Sequence, residues 1–428
     1  MPGIAARLLF EMLDGHTDSA ITDGWRSTEV RDALDLCLAC KGCKSDCPVG
    51  VDMATYKAEF LAHHYAGRLR PAAHYSMGWL PLWARLARLS PRLANAALTA
   101  PGLGRVGRSL AGLAGERAAP PFPQESFTDW WRARGTPAPD PSGASTVLLW
   151  PDTFSTHFHP AVAKAAVYVL EDAGFDVAVP DQAVCCGLTW ISTGQLTTAR
   201  KVLRRTLTAL GPWLEAGTPV VGLEPSCAAV FRADAPELMP GDQDVQRLAG
   251  QFRTFAELLL NDASKEWTPP RLDRAAVVQM HCHQHAVLAD DADRELMRRA
   301  GLEPEVLDKG CCGLAGNFGF ERGHYEVSMA VGEQGVLPAV REAAPEALVL
   351  ADGFSCRTQI EQGGTGRRAM HLAEALASGL DGGRLPDRAD AVVDRPEASR
   401  RDGRLLAAAM AAAVGVGGAA ALRRVRHR

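Results

Sequence analysis

A surplus of charge is missing from this 428-residue sequence: 46 Lys and Arg stand against 50 Asp and Glu, a net of −4. Nothing in that overall balance marks nucleic acid or an anionic surface as a partner. The opening MPGIAARLLFEML lacks the basic start, long apolar stretch and cleavage site of an export signal. An even number of cysteines is also missing. Eleven cannot all pair, and in the reducing cytoplasm expected for this chain such thiols serve metal or redox chemistry rather than disulfides. A dinucleotide fingerprint is absent in substance: Gly102-Leu-Gly104-Arg-Val-Gly107 has the spacing, but it follows an Ala-rich helical stretch and Pro101 where a strand is required. What is present is a composition ordinary for a globular protein, 47% hydrophobic and 22% charged, on a chain long enough for two or three cores.

The pattern of apolar residues divides the chain into five parts. Residues 1–75 read as helical, interrupted by a cysteine run at 37–47, with VDMATYKAEFLAHHYAG as a helix stopped by Gly67. Residues 76–145 form a connector of Arg-rich helical pieces and Pro/Gly turns. From 146 the chain repeats itself. The copy at 146–265 runs strand TVLLW, helix AVAKAAVYVLEDAG, strand VAVP, then CCG, a helix around 195–210, strand PVVG, EPSC and helix FAELLL. The copy at 271–385 runs AVVQMHC, LADDADRELMRRAG, PEVL, CCG, a helix near 325–340, ALVLADGFSC and HLAEALA. Alternating strands and helices predict βαβ units with parallel sheets, whose binding crevice lies beyond the carboxyl ends of the strands, where every cysteine of both copies falls. Residues 386–428 are a polar linker and an Ala/Gly-rich basic tail. Twelve of the eighteen residues in LLAAAMAAAVGVGGAAAL (405–422) are Ala or Gly, which gain little from lipid. A terminal helix or loose tail is expected there, with a peripheral or tail-anchored contact at the inner face of the membrane as the alternative.

Cys37-x2-Cys40-x2-Cys43-x3-Cys47-Pro48 has the bacterial ferredoxin spacing for a [4Fe–4S] cluster. Zinc is the competing reading, though zinc sites usually join two well-separated knuckles. In two-cluster ferredoxins the fourth cysteine of such a run serves the other cluster, and no second run is present, so Cys47 either closes a single cluster or pairs with a companion motif elsewhere. The second copy offers Cys282, Cys311, Cys312 and Cys356, four thiols for a second metal or cluster. The first copy offers Cys185, Cys186 and Cys227, with Thr153 where the counterpart of Cys282 belongs. Three thiols need help from Asp152, Glu224, His157 or His159. His281, His283 and His285 flank Cys282. On a strand they would share the face opposite it, as ligands, proton carriers or donors to sulfur. A polar loop beside a pocket explains these histidines equally well.

CLACKGCKSDCP followed by two CCG repeats resembles the iron–sulfur half of FAD-linked 2-hydroxy-acid dehydrogenases, those acting on D-lactate, D-2-hydroxyglutarate or glycolate. The layout is also similar to the iron–sulfur component of anaerobic glycerol-3-phosphate dehydrogenase, and the CCG repeat to the cysteine-rich component of heterodisulfide reductase. The resemblance spans about residues 5–385. It implies an α/β fold: an all-helical ferredoxin-like N-terminal domain followed by two repeated βαβ cysteine-rich (CCG) domains with parallel sheets. The family motif reads C…CCG…CxxC. Cys282, Cys311, Cys312 and Cys356 match it, but Gly353 stands at the first cysteine of the CxxC. In the first copy Thr153 and Glu224 replace two of the five. The long fused relatives carry an FAD domain and an earlier cysteine run, so FAD is expected on a further domain or a partner protein.

These readings combine into an electron-transfer unit of an oxidoreductase. A flavin partner takes two electrons from a 2-hydroxy acid, and the cluster at Cys37–Cys47 accepts them singly on the way to a quinone or cytochrome. Two alternatives remain at this stage: a zinc-holding docking scaffold, and thiol–disulfide chemistry at a CCG site.

Overall fold

The structure is a computed structural model that describes residues 2–14, 21, 23–48, 50–100, 102–308 and 310–380. The expectations for the C-terminal tail lie outside the described residues. Two parallel sheets organise the chain after residue 145. The first contains β1 (Thr146–Leu149), β2 (Asp176–Ala178), β3 (Val220–Gly222) and β4 (Phe252–Thr254) in the order β2-β1-β3-β4. The second contains β5 (Arg274–Val278), β6 (Leu302–Val306) and β7 (Leu348–Leu350) in the order β6-β5-β7. All pairs are parallel, with Val147 opposite Val177 in one sheet and Val278 opposite Val306 in the other. β1 is buried along its whole length, as a strand covered on both faces requires.

The sheets share one core rather than standing apart. Helix Pro160–Asp172 starts on a proline whose missing N–H costs nothing at a first turn, and it buries Val162, Ala166, Val169 and Leu170. It packs against helix Leu372–Ser378 of the second unit, in a core that also holds Val147 and Leu149 of β1 and Ala276 and Val278 of β5. The connector is packed against both units: Ala84, on helix Leu80–Ala87, is buried against Phe158 and Phe354. Arg117 is buried and donates to Gly319 O, Ser328 Oγ and Gln359 Oε1, fastening the connector to the second unit.

The described part of residues 1–75 contains helices and no strand. Ser27 caps helix Thr28–Asp35, accepting from Val30 N at 3.2 Å, and the helix buries Val30 and Leu34. Asp52 caps helix Met53–His64 through Ala54 N and Thr55 N. Among the described residues no helix is long and apolar enough to cross a membrane.

Three details depart from the sequence pattern. β4 joins the first sheet as a fourth strand, whereas its counterpart in the second is a single parallel bridge between Leu350 and Met370. The helix expected near 325–340 is broken into Tyr325–Gly332 and Val336–Glu342. The chain after β5 does not continue as a strand: it coils into a helical turn from Cys282 to Leu288, so His281, His283 and His285 do not share one face.

Candidate metal centres

Each cysteine of the repeats sits just past the carboxyl end of a parallel strand. Cys185–Cys186 follow β2, Cys227 follows β3, Cys282 follows β5, Cys311–Cys312 follow β6 and Cys356 follows β7. The glycine of each CCG has a geometric cause. Gly187 and Gly313 take φ of +85° and +91°, the left-handed region that glycine enters without strain. That turn points each glycine N–H back at the first sulfur of its pair: Gly187 to Cys185 Sγ and Gly313 to Cys311 Sγ, both at 3.4 Å. A Cβ at Gly313 would also lie 2.1 Å from Ser328 O, so only glycine lets the loop pack on the helix that follows.

Around Cys311 the structure gathers five thiols. Cys311 is hydrogen-bonded to Cys282, Cys312 and Cys40, and Cys312 is in turn bonded to Cys356. These shared protons push the thiols apart in acidity. The bond from Cys311 pulls Cys40 down to about 6, against its burial. Hydrogen bonds from Cys311 and Cys356 hold Cys312 well below the usual thiol range, while the bonds of Cys311 with Cys282, Cys312 and Cys40, and that of Cys356 with Cys312, drive these two thiols well above it with the help of burial. Thiols crowded this closely, Cys312 and Cys356 buried and the other three half-buried, with a backbone N–H turned toward sulfur, form the donor set that soft metals and iron–sulfur clusters select.

The first site gathers fewer. Cys186 Sγ lies 3.1 Å from Cys227 Sγ, and Cys185 is bonded to Cys186. The bond with Cys186 pulls Cys227 down, yet burial and the nearby carboxyls of Asp152 and Glu224 outweigh it and raise the thiol to about 11. Asp152 is fully buried, and burial together with Glu224 raises its carboxyl to about 6. It caps helix Thr153–His157 by accepting from Phe154 N and Ser155 N. Glu224 accepts from Ser226 through one oxygen and from Phe354 N, at 2.9 Å, through the other. Phe354 opens the helix that carries Cys356, so this carboxyl ties the two sites together.

The N-terminal cysteine loop is clamped between the two units. Cys37 and Cys43 are both raised by burial, and Ala39 N and Met53 N donate to their sulfurs at 3.4 Å. Cys47 N donates to Cys43 O at 3.0 Å, closing the short helix Gly42–Asp46. Lys41 is 3% exposed and reaches Asp234 of the first unit at 2.7 Å and Asp52 at 2.8 Å. Burial works against its charge, but the two carboxylates outweigh it and raise its pKa. On the other side His283 Nε2 bonds Ala39 O at 3.1 Å.

The candidate histidines separate. His281 and His283 are buried, each lowered to about 4 chiefly by burial, and both line the same cavity as Cys282. His285 points outward, 3.7 Å from Asp46. His157 and His159 are also buried, lowered to about 4 and about 3 by burial first, with the arginines Arg85 and Arg357 as their leading charged influences. Both lie outside the lining of the cavity that the thiols share. That cavity measures about 750 Å³ and is reached by Cys40, Cys185, Cys186, Cys227 and Cys282, so all three cysteine groups open onto one space. The convergence of Cys40 on Cys311, the Lys41 clamp and the Glu224 bridge have no signature in local sequence; Thr153 and Glu224 stood out by lying where thiols were expected, and Asp152 as a neighbouring carboxyl.

Comparison with known proteins agrees with this arrangement. The family model described as "Cysteine-rich domain" (CCG) matches residues 152–232 and 280–361. The D-2-hydroxyglutarate dehydrogenase of Escherichia coli K12 is 27% identical over 369 residues, covering 82% of this chain and 34% of the relative. One component of the anaerobic glycerol-3-phosphate dehydrogenase of the same organism is 29% identical over 270 residues, 61% of this chain and 66% of the relative. Lactate utilization protein A of Bacillus licheniformis is 30% identical over 235 residues, 52% of this chain and 94% of the relative. The chain thus spans about a third of the hydroxyglutarate dehydrogenase but nearly all of lactate utilization protein A. With two cysteine-rich domains matched and the thiols converging from both, the chain belongs to the family of paired cysteine-rich (CCG) domain proteins that includes lactate utilization protein A.

Proposed function

We propose that the chain is the iron–sulfur electron-transfer part of a flavin-linked dehydrogenase that oxidises a small 2-hydroxy acid. The observation that carries this reading is the hydrogen-bonded contact between Cys40 and Cys311, which joins the N-terminal cysteine run to the second cysteine-rich domain in one continuous set of thiols. Cys37, Cys40, Cys43 and Cys47 are proposed to hold a [4Fe–4S] cluster, as their spacing expects, and Cys282, Cys311, Cys312 and Cys356 a second metal or cluster. When bound, an iron–sulfur cluster supplies one-electron acceptance and release, which divides the electron pair of a flavin hydroquinone. The chain's own part is to hold and screen the donors. Ala39, Met53 and Gly313 direct N–H groups at sulfur, which favours the charged thiolate, and Lys41 and His283 fix the loop that carries Cys40.

The printed names of the relatives supply the substrate class: D-2-hydroxyglutarate and lactate are 2-hydroxy acids, and glycerol 3-phosphate is a neighbouring alcohol. The 34% share of the hydroxyglutarate dehydrogenase leaves ample length there for a flavin domain, which this chain would meet as a further domain or partner. A quinone or cytochrome then takes the electrons onward, in the cytoplasm. The test is iron and acid-labile sulfide analysis of the chain purified without oxygen, followed by D-lactate and D-2-hydroxyglutarate oxidation with and without the FAD-containing partner. Iron with sulfide, and turnover only in the partner's presence, is the expected result. Stoichiometric zinc without iron, or turnover by this chain alone with bound FAD, overturns the reading.

A further inference from the structure

The near-neutral charge of the whole chain conceals one segment of a single sign. From residue 60 to residue 115 there is no Asp or Glu and there are seven arginines. The same stretch collects the exposed apolar surface: among the described residues, nine of the thirteen large apolar side chains left open to solvent lie between Leu69 and Leu110. On helix Leu80–Ala87 they are Leu82, Trp83 and Leu86, spaced to share one face, and Leu89 beyond it is 77% exposed. Leu93 on the next helix and Val106 and Leu110 on the one after continue the pattern, with Leu110 at 76%. Scattered surface leucines need no explanation, but a concentration of them among cations, with aromatic residues, is the composition of a helix that lies in the interface of an anionic bilayer.

The position of this surface adds a second observation. Tyr75, Trp83 and Leu110 are exposed and also line the cavity whose inner wall carries Cys40, Cys186 and Cys282. The cavity therefore opens on the basic, apolar face, and Ala94, Ala97 and Leu98 give it apolar walls on the way in. We infer that residues 69–110 dock the protein on an anionic lipid surface, with the mouth of the thiol-lined cavity turned toward the lipid. Charge complementarity selects the occupant. A flavoprotein or a second copy could cover apolar side chains, but the exposed Arg68, Arg92 and Arg105, in a stretch without one carboxylate, match a sheet of phosphates, while Arg70, Arg85 and Arg108 are held by backbone carbonyls and Arg88 by Asp129. This inference stands whether or not the thiols hold iron.

The experiment is co-sedimentation of the full chain with vesicles of phosphatidylcholine alone and of phosphatidylcholine with phosphatidylglycerol, at low and at high salt. Binding is expected on the anionic vesicles only, weakening as salt rises. Two variants divide the surface: L86S/L89S/L110S for its apolar part, and R92Q/R105Q for its charge. All five residues are chosen from the exposed face, so folding, checked by the thermal midpoint, should be retained. At about 1 kcal/mol for each basic residue near the surface, the arginine pair should weaken binding roughly 30-fold. Binding to neither vesicle at low salt overturns the inference. So does binding that survives all five substitutions, since the affinity then lies elsewhere in the chain, and so does a dimer dispersed by the leucine variant, which gives the face to a second copy.

Discussion

The imidazole of His281 fills the space that a side chain at Gly353 would need: a Cβ placed there would lie 2.1 Å from His281 Cδ2 and 3.0 Å from Nε2. Gly353 is the position at which the CCG motif has the first cysteine of its CxxC, so this chain holds a buried ring where its relatives' pattern places a thiol. His281 Nδ1 accepts from His283 N at 3.2 Å, which leaves the proton of the neutral ring on Nε2, the edge turned toward Gly353. Burial lowers the ring to about 4, keeping it neutral near pH 7.

The pair therefore behaves as a unit, and a double-mutant cycle reads it. Restoring the cysteine alone, Gly353→Cys, drives Cβ into the ring and should destabilise the protein by about 1–3 kcal/mol, with loss of metal. Adding His281→Ala removes the obstacle, and the double variant should be more stable and better loaded than Gly353→Cys alone. Thermal unfolding and iron per chain measure both. Strictly additive losses would show that the two positions do not interact.

How far the sequence reveals such details depends on how local they are. The strands, the helices between them and the placement of the cysteines at strand ends are legible because a period of apolar residues and a turn are written in a few consecutive positions. HCHQH misleads for the same reason: histidines at every second residue imitate a strand, while the structure coils the segment so that Cys282 turns toward Cys311. β4 is only Phe252–Thr254 between two helices, too short to show a period. Lys41 and Asp234 look like surface charges until the fold brings them to 2.7 Å. Thr153 and Glu224 in place of thiols are legible as departures, but that Glu224 would reach Phe354 N in the other unit is tertiary information.

The two CCG sites should differ in what they hold. Cys311 and Cys312 lie within a set of five thiols, whereas Cys185 and Cys186 are joined only by Cys227 and by carboxyls that burial pushes toward the neutral form. Cys311→Ser/Cys312→Ser should lose metal and the larger share of stability, because bound metal contributes to folding directly. Cys185→Ser/Cys186→Ser should lose less of both. Equal losses, in metal analysis and thermal midpoints, would reverse the ranking of the sites.

Lys41 provides a test of how the N-terminal loop is held. Its ammonium is almost wholly enclosed between Asp52 and Asp234, which are 11% and 8% exposed. Lys41→Met keeps the length of the side chain but leaves the buried carboxylate of Asp234 without its cation, while Asp52 keeps only Lys44 at 3.7 Å, an error that typically costs roughly 3–5 kcal/mol. Denaturant unfolding should show a loss of that order, together with release of iron from the run. A loss below about 1 kcal/mol would mean that water reaches both carboxylates freely.

A second clamp on the same domain depends on pH. His324 Nε2, in the second unit, meets Asp35 Oδ2 of helix Thr28–Asp35 at 2.9 Å, with Glu321 behind it at 3.7 Å from Nδ1. Burial opposes the charge on His324, but the hydrogen bond and charge of Asp35, with Glu321, raise its pKa above the ordinary 6.5. Burial likewise opposes ionisation of Asp35, and the bond from His324 outweighs it, lowering its pKa below the ordinary 3.8. A raised histidine stabilises fully below its unfolded value and loses that contribution as pH rises through its folded value. A lowered carboxylate stabilises above its unfolded value and loses that contribution as pH falls through its folded value. The contact is therefore strongest between about pH 4 and 6.5 and fades on the alkaline side once His324 deprotonates. Asp35→Asn should lower the thermal midpoint most in that window and converge with the wild type as pH climbs past the folded value of His324. Because Asp35 is largely solvated, the difference should be small and should shrink with salt. An Asp35→Asn deficit that stays constant from pH 5 to pH 9 would assign the contact to geometry rather than to the charge on His324.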